Sequence, residues 1–249
     1  MPPPALAASE PVDLELVLAV DISGSIDPEE AQLQRDGYVA ALTDPAVIRT
    51  IRRGTLGRIA VSYVEWAGVE TAHTVANWTL IQDKESAHRF ADSIAKAPLQ
   101  TALWTSISNV IEYALPRFDD NGFEGTRRVI DISGDGPNNQ GGPVVKRRDM
   151  AAAAGVTING LPIVNDRASP FGWPALPDLD LYYANCVIGG PGAFYVVANN
   201  FKDFARAIRK KLILEIADSA PTARLFRVAA RKPPPCDIGE RRVQWLLDN

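Results

Sequence analysis

The run Leu14-Glu-Leu-Val-Leu-Ala-Val-Asp-Ile-Ser-Gly-Ser25 decides the fold of this chain. It begins with a short, mostly apolar segment, which is typical of a parallel strand buried on both faces of a sheet. Asp21 stands at the end of that segment, and Ser23 and Ser25 follow two and four residues later. The run therefore predicts a buried strand that ends in a loop rich in side-chain oxygens.

Segments with the patterns of strands and helices alternate along the rest of the chain. Further strands are predicted at 59–67, 73–81, 127–133, 156–164 and 193–198, and helices at 28–43, 83–97, 106–118, 144–154 and 201–217. Such alternation implies right-handed crossovers and a mostly parallel sheet. We therefore expect an α/β fold of three layers, in which a doubly wound, mostly parallel sheet carries helices on both faces.

The length and composition of the chain suit one large domain with extensions at both ends. With 249 residues, 46% of them hydrophobic, it can bury a sizeable core. We expect a disordered N-terminus or the remnant of a leader at 1–11, because Ala5-Leu-Ala-Ala8 resembles the small-residue end of a secretory signal. The domain is expected at 12–217, and 218–249 is interpreted as a C-terminal arm.

The charge and hydropathy of the chain argue against two classes of partner. Lys and Arg total 26 against 30 Asp and Glu, a net charge of -4 that does not suit a nucleic-acid surface. No apolar run reaches the roughly 18 residues that a membrane helix requires, so we predict no membrane span.

The two cysteines, Cys186 and Cys236, bear on the cellular compartment. Neither has the spacing of a zinc site. In an exported protein they would form one disulfide that ties the C-terminal arm to the domain, whereas in a cytosolic protein they would be two separate thiols. We expect a periplasmic or secreted protein, with the cytoplasm as the alternative.

Three polar segments are predicted to meet at the carboxyl edge of the sheet, where ligands of such folds bind. Besides the loop that follows Asp21, Leu103-Trp-Thr-Ser-Ile-Ser108 places Thr105 at the mouth of a helix. Ser133-Gly-Asp-Gly-Pro-Asn138 places Asp135 after another strand. Thr101 competes with Thr105 for this position, and Asp131 competes with Asp135.

A set of five oxygen-bearing side chains is the candidate metal site: Asp21, Ser23, Ser25, Thr105 and Asp135. Two carboxylates and three hydroxyls offer only hard oxygen ligands, which suit Mg²⁺, with Mn²⁺ or Ca²⁺ as substitutes. Hydroxyls are weak donors, so the ion should remain electrophilic and keep water at an open position. A carboxylate from a partner could displace that water.

This arrangement resembles the metal-ion-dependent adhesion site of von Willebrand factor A domains. The resemblance lies in the strand-borne Asp-x-Ser-x-Ser, the later Thr105 and the Asp-Gly at Asp135, and the order of elements matches over about 13–217. The stretches 12–27 and 186–192 are similar to an uncharacterised bacterial branch, the DUF1194-like domains of unknown function. Family members usually carry Thr or Ser before the third-loop Asp, whereas this chain has Gly134.

The resemblance implies a metal-dependent protein-binding module and not an enzyme. Its partner would be an unidentified protein that supplies an acidic side chain to the metal ion. One alternative is a Mg²⁺-dependent phosphoryl-transfer hydrolase with Asp21 as nucleophile. Such hydrolases normally need a second carboxylate two residues later, where this chain has Ser23. The other alternative is a structural domain whose metal site is vestigial.

Overall fold

The structure, a computed structural model, describes residues 9–165, 174–218 and 231–248. Its strands are β1 (Glu10–Val12), β2 (Leu14–Asp21), β3 (Ile59–Trp66), β4 (Ala72–Ile81), β5 (Phe123–Gly125), β6 (Arg128–Gly134) and β7 (Val156–Pro162). Its α-helices are α1 (Pro28–Leu42), α2 (Pro45–Arg52), α3 (Lys84–Ala95), α4 (Ile107–Ala114), α5 (Val144–Ala153), α6 (Leu179–Tyr182), α7 (Phe204–Ile216) and α8 (Ile238–Asp248).

A five-stranded sheet in the order β4-β3-β2-β6-β7 forms the centre of the domain. β2 pairs in parallel with β3 and with β6, and β7 pairs in parallel with β6. Only the edge strand β4 is antiparallel, to β3. The chain leaves β2 toward β3 on one side and leaves β6 toward β7 on the other, so a crevice opens between the carboxyl ends of β2 and β6.

Successive side chains of β2 point to opposite faces of the sheet, and both faces are covered. Leu16 and Leu18 pack in a core cluster with residues of α1, α2, α3 and α7. Val17 and Ala19 pack in a second cluster with residues of α4, α5 and α6. The predicted α/β architecture, a mostly parallel sheet between two helical layers, is confirmed.

The ends of the domain differ in part from the sequence prediction. Residues 1–8 of the expected N-terminal segment lie outside the described residues, but Glu10 and Pro11, which were assigned to it, belong to β1 and pair in parallel with β5. The C-terminal arm, of which 219–230 lie outside the described residues, contains the helix α8. No helix was predicted there, and Gly239 within it lowers the helical propensity of the segment.

Other predicted elements change at their boundaries. The strand expected at 193–198 is reduced to isolated bridges at Tyr195 and Ala198. The helix expected at 106–118 continues beyond Ala114 as a 3₁₀ turn, Leu115–Phe118, because Pro116 cannot donate an α-helical hydrogen bond. Helix α2 was not predicted.

Cys186 and Cys236 form a disulfide, with their Cα atoms 5.4 Å apart, as predicted for an exported protein. The bond joins the C-terminal arm to the short π-helical segment Tyr183–Val187 that follows α6. None of the helices in the described ranges is long and apolar enough to cross a bilayer.

Candidate metal site

The carboxyl edge of the sheet brings the first and third predicted loops to the crevice. Asp21 is the last residue of β2 and Asp135 immediately follows β6, the neighbouring parallel strand. Both side chains are buried. The rule that ligands of parallel sheets bind where neighbouring connections diverge therefore points to the space between these two carboxylates.

The first loop is held by its own hydrogen bonds. The backbone N–H of Ser23 donates to Asp21 Oδ1 over 2.7 Å, and the hydroxyls of Ser23 and Ser25 lie 3.2 Å apart. Asp27 then caps α1 through a reciprocal pair of hydrogen bonds with Glu30. Asp21 Oδ2 is different: it is buried and has no hydrogen-bond partner among the described residues.

The third loop is joined to the first through Asp135. The hydroxyl of Ser25 donates to Asp135 Oδ1 over 2.6 Å, and Asn165 Nδ2 donates to the other carboxylate oxygen over 3.2 Å. Asn165 was not among the predicted site residues. It follows β7, and the same strand-end argument that selects Asp135 would have selected it.

The second loop is joined to the third by backbone and amide hydrogen bonds. Thr105 N donates to Asn139 Oδ1, and Asn139 N donates to Thr105 O, each over 2.8 Å. Thr105 is buried, and it lines one cavity of about 60 Å³ together with Ser25 and Asp135. Segments from three loops thus meet around one small space.

The electrostatics of the two carboxylates are unfavourable without a cation. Burial raises the pKa of Asp21 well above its ordinary value, and the nearby charge of Asp135 raises it further. Burial also raises the pKa of Asp135. The hydrogen bond from Ser25 lowers this pKa, but the effect of burial is larger. Neither carboxylate has an ion-pair partner within the described part of the chain. A bound cation would offset both the burial and the repulsion.

The described residues contain no group of three or more His, Cys, Asp or Glu that could hold a metal ion. A metal bound in this crevice would therefore need hydroxyl ligands beside the two carboxylates. Ser25 and Thr105 already line the cavity, Ser23 contacts Ser25, and Asp21 Oδ2 is the unpartnered buried oxygen. This set fits a hard divalent cation.

Comparison with known proteins places the chain in a family. The sequence model of DUF1194, described as a protein of unknown function, matches residues 11–220. The chain belongs to the DUF1194 family. No curated protein matches it in sequence.

Solved structures similar to this DUF1194 chain have the von Willebrand factor A fold. Proximal thread matrix protein 1 from the mussel byssus is 16% identical, with a TM-score of 0.60 over 84% of this chain and 49% of its own. A further structure of that protein, described as having a zinc-occupied MIDAS (metal-ion-dependent adhesion site) motif, is 15% identical, with a TM-score of 0.57 over 85% and 47%. The von Willebrand factor type A protein from Catenulispora acidiphila is 13% identical, with a TM-score of 0.56 over 82% and 43%.

These comparisons confirm the predicted family and the predicted fold. At such low identity the solved structures inform about the fold alone. This chain spans about half the length of the mussel protein, 49% of it.

Two competing side chains lie away from the crevice. Asp131 lies inside β6, and its Oδ1 is 2.5 Å from Lys211 Nζ, in a buried cluster with Glu215 of α7. Thr101 is exposed and does not line the cavity. The structure therefore brings Asp135 and Thr105 to one cavity with Ser25, and neither competitor lines it. Asp21 and Ser23 do not line that cavity; Asp21 is near Asp135, and Ser23 contacts Ser25.

Gly134, where the family pattern has Thr or Ser, is explained by a tyrosine that sequence reasoning missed. A Cβ at Gly134 would lie 2.8 Å from Asp21 Oδ2 and 2.9 Å from the hydroxyl oxygen of Tyr183. Tyr183 is fully buried, and burial, together with the charge of Asp21, raises the pKa of its hydroxyl. The ring of Tyr183 thus brings a hydroxyl to the position from which a side chain at 134 is excluded.

Proposed function

We propose that this DUF1194 domain is a protein-binding module that depends on a divalent metal ion held by Asp21, Ser23, Ser25, Thr105 and Asp135. The observation that carries the proposal is a pair of buried carboxylates at one crevice, with no hydrogen bond to Asp21 Oδ2 from the described residues. A buried carboxylate oxygen without a hydrogen bond is costly, and a cation between the two loops would remove that cost.

Mg²⁺ is the proposed ion because every donor is a hard oxygen, with Mn²⁺ or Ca²⁺ as substitutes. Three of the five proposed donors are neutral hydroxyls, which donate weakly and leave the ion electrophilic, and octahedral Mg²⁺ takes one ligand more than the set supplies. The ion would therefore keep water that an acidic side chain of a partner protein can replace. The zinc described for the mussel protein supports a divalent ion at such a motif, but the donor set of this chain favours a harder one.

Binding, rather than catalysis, is the function that the donor set supports. A phosphoryl-transfer hydrolase would need a second carboxylate two residues after its nucleophile, and this chain has the small hydroxyl of Ser23 at that position. A periplasmic or secreted location is also proposed, because the disulfide between Cys186 and Cys236 would persist in an oxidising compartment.

The test compares Mg²⁺ binding by the wild type, by Asp21→Asn and by the control Asp36→Asn. Calorimetry and the melting temperature measure the binding. Asp36 is an exposed carboxylate on α1. We expect Mg²⁺ to raise the melting temperature of the wild type and of Asp36→Asn but not that of Asp21→Asn. If no divalent ion raises the melting temperature of the wild type, the site is vestigial.

Partner binding is tested with Asp21→Ala and with a chelator. Mg²⁺-dependent binding should disappear in Asp21→Ala while the circular dichroism spectrum stays native. Partner binding that survives an excess of chelator would contradict the proposal, and metal-dependent phosphatase turnover would favour the hydrolase instead.

A further inference from the structure

The C-terminal helix α8 forms one wall of the candidate site. The cavity that Ser25, Thr105 and Asp135 line is bounded on another side by Gly239 and Arg242 of this helix. Pro137 and residues 174–176 add apolar groups to the lining, and Gly136, Asn139 and Asn165 complete it. A segment that the sequence suggested only as an appended arm therefore belongs to the site.

Helix α8 is fastened to the loop that carries Asp135. Asn138 Nδ2 donates to Glu240 Oε1 over 2.7 Å. Asn138 N donates to the hydroxyl of Tyr182 over 3.1 Å, and that hydroxyl in turn donates to Cys236 O over 3.3 Å. With the disulfide at Cys236, these bonds fix the start of α8 against the third loop.

The contact between α8 and the third loop is a close one. A Cβ at Gly239 would lie only 1.9 Å from the carbonyl oxygen of Asn138. Any side chain at this position would push the helix away from the loop. The glycine that weakens α8 as a helix is thus the residue that lets it approach the site.

Arg242 is the only cationic residue among the described residues that line the cavity. Its Nη1 donates to the carbonyl oxygen of Pro174 over 3.2 Å, and Pro174 lines the same cavity. This is the only hydrogen bond of the guanidinium within the described part of the chain. A guanidinium carries five N–H donors, so most of them remain for a ligand.

We propose that Arg242 is a second binding point for the acidic group that coordinates the metal, and that this group is a carboxylate on a slim aliphatic stem. The inference rests on the proposed function. Arginine holds a carboxylate through paired, charge-assisted hydrogen bonds, which add orientation as well as affinity. The cavity is small, about 60 Å³, which suits a carboxylate, and Pro137 and Leu176 offer apolar contacts to the stem.

Two sources could supply such a carboxylate: an Asp or Glu side chain of a protein, or a small free acid. Both share the chemistry that the cavity recognises. The experiment therefore uses two probes, acetate and a short peptide with blocked ends and a single Asp. If the peptide binds as well as acetate does, the side chain of a protein can supply the carboxylate. If acetate binds and the peptide does not, the source is a small free acid.

The variants are Arg242→Gln, Arg242→Lys and the control Arg241→Gln. Arg241 lies on the same helix, is exposed and pairs with Asp237 over 2.8 Å. Arg241→Gln therefore removes one positive charge from α8, as Arg242→Gln does, but at a residue that does not line the cavity. Mg²⁺ affinity is measured first by calorimetry. Acetate and peptide are then titrated in saturating Mg²⁺, with the backbone amide signals of Gly136 and Asn139 as the readout.

We expect all variants to bind Mg²⁺ like the wild type. Arg242→Gln should weaken acetate binding by on the order of tenfold or more, since a charged hydrogen bond is lost. Arg242→Lys should recover part of the affinity, because lysine keeps the charge but not the paired geometry. A native amide spectrum of Arg242→Gln shows that the loss is local.

Equal acetate affinity in Arg242→Gln and the wild type would overturn the inference, as would an equal loss in Arg241→Gln. Failure of the wild type to bind acetate at all in saturating Mg²⁺ would overturn it too. Failure of the proposed function looks different, because the wild type would then not bind Mg²⁺ in the first titration.

Discussion

The hydroxyl of Ser25 donates to Asp135 Oδ1 over 2.6 Å, across a separation of 110 residues in the chain. This single bond joins the loop after β2 to the loop after β6. It holds the two loops of the proposed metal site together, although their strands are neighbours only in the sheet and are distant in sequence.

Replacing Ser25 by Ala should destabilise the domain and weaken Mg²⁺ binding. The substitution removes a hydrogen bond to a buried carboxylate, a loss of about 1–3 kcal/mol in the free energy of unfolding. Urea unfolding with and without Mg²⁺ measures both effects. Ser93→Ala, at an exposed serine of α3 whose hydroxyl donates only to Phe90 O of the same helix, is the control and should leave the Mg²⁺ affinity unchanged. Equal stability and Mg²⁺ affinity in both variants would show that the bond is unimportant.

Replacing Gly134 by Ala should be destabilising by about 1–3 kcal/mol, because the new Cβ would overlap Asp21 Oδ2 and the hydroxyl of Tyr183. The double variant with Tyr183→Phe should recover part of this loss, since the hydroxyl oxygen is removed. Gly142→Ala is the control, because a Cβ there meets no atom within 4 Å. Chemical denaturation of the wild type, Gly134→Ala, Tyr183→Phe and the double variant forms the double-mutant cycle. Strictly additive effects would mean that Tyr183 does not explain Gly134.

The stability of the domain should depend on pH through Asp131. Burial, and next the charge of Glu215, raises its pKa to about 8, against the opposing effect of Lys211; Tyr38 of α1 also faces the cluster. The folded protein therefore binds this proton more tightly than the unfolded chain does. The resulting stabilisation is complete below the ordinary aspartate pKa and is lost as the pH rises through about 8.

Asp131→Asn removes this titration and leaves Lys211 paired with Glu215. The free energy of unfolding of the wild type, relative to that of Asp131→Asn, should fall as the pH increases from about 4 to about 8. Denaturation at a series of pH values measures the difference. Parallel pH profiles for the two proteins would contradict the assignment.

Reduction of the disulfide should loosen α8 before it unfolds the domain. The bond closes a loop between positions 50 residues apart, and such bonds typically contribute about 2–4 kcal/mol to stability. Hydrogen exchange of 238–248 should accelerate in reductant or in Cys236→Ser, while β2 stays protected. Unchanged exchange in α8 would mean that the bonds of Asn138 and Glu240 hold the helix without the disulfide.

The central strands and the crevice were predictable from sequence because each depends on local pattern. The apolar run of β2 ends at Asp21, β6 is followed by Asp135, and parallel strands place such residues at one edge. Helix α2 could also have been found, since Asp44 and Pro45 are an N-cap and a first helical residue.

The rest of the site depends on contacts that no local pattern encodes. Tyr183 reaches Gly134 from a π-helical segment, and Arg242 reaches the cavity from a helix tied down by a disulfide. The propensity of the sequence around Gly239 is poor for a helix, and tertiary packing against Asn138 overrides it. The place of such residues in the site can be recognised only from the folded structure.

The most direct test of the metal site is the anomalous scattering of Mn²⁺ in crystals of the protein. The account predicts one strong peak in the crevice, about 2–2.5 Å from oxygens of the proposed ligands Asp21, Ser23, Ser25, Thr105 and Asp135. A crystal saturated with Mn²⁺ that shows no peak there, or one only beside Asp131, would contradict it.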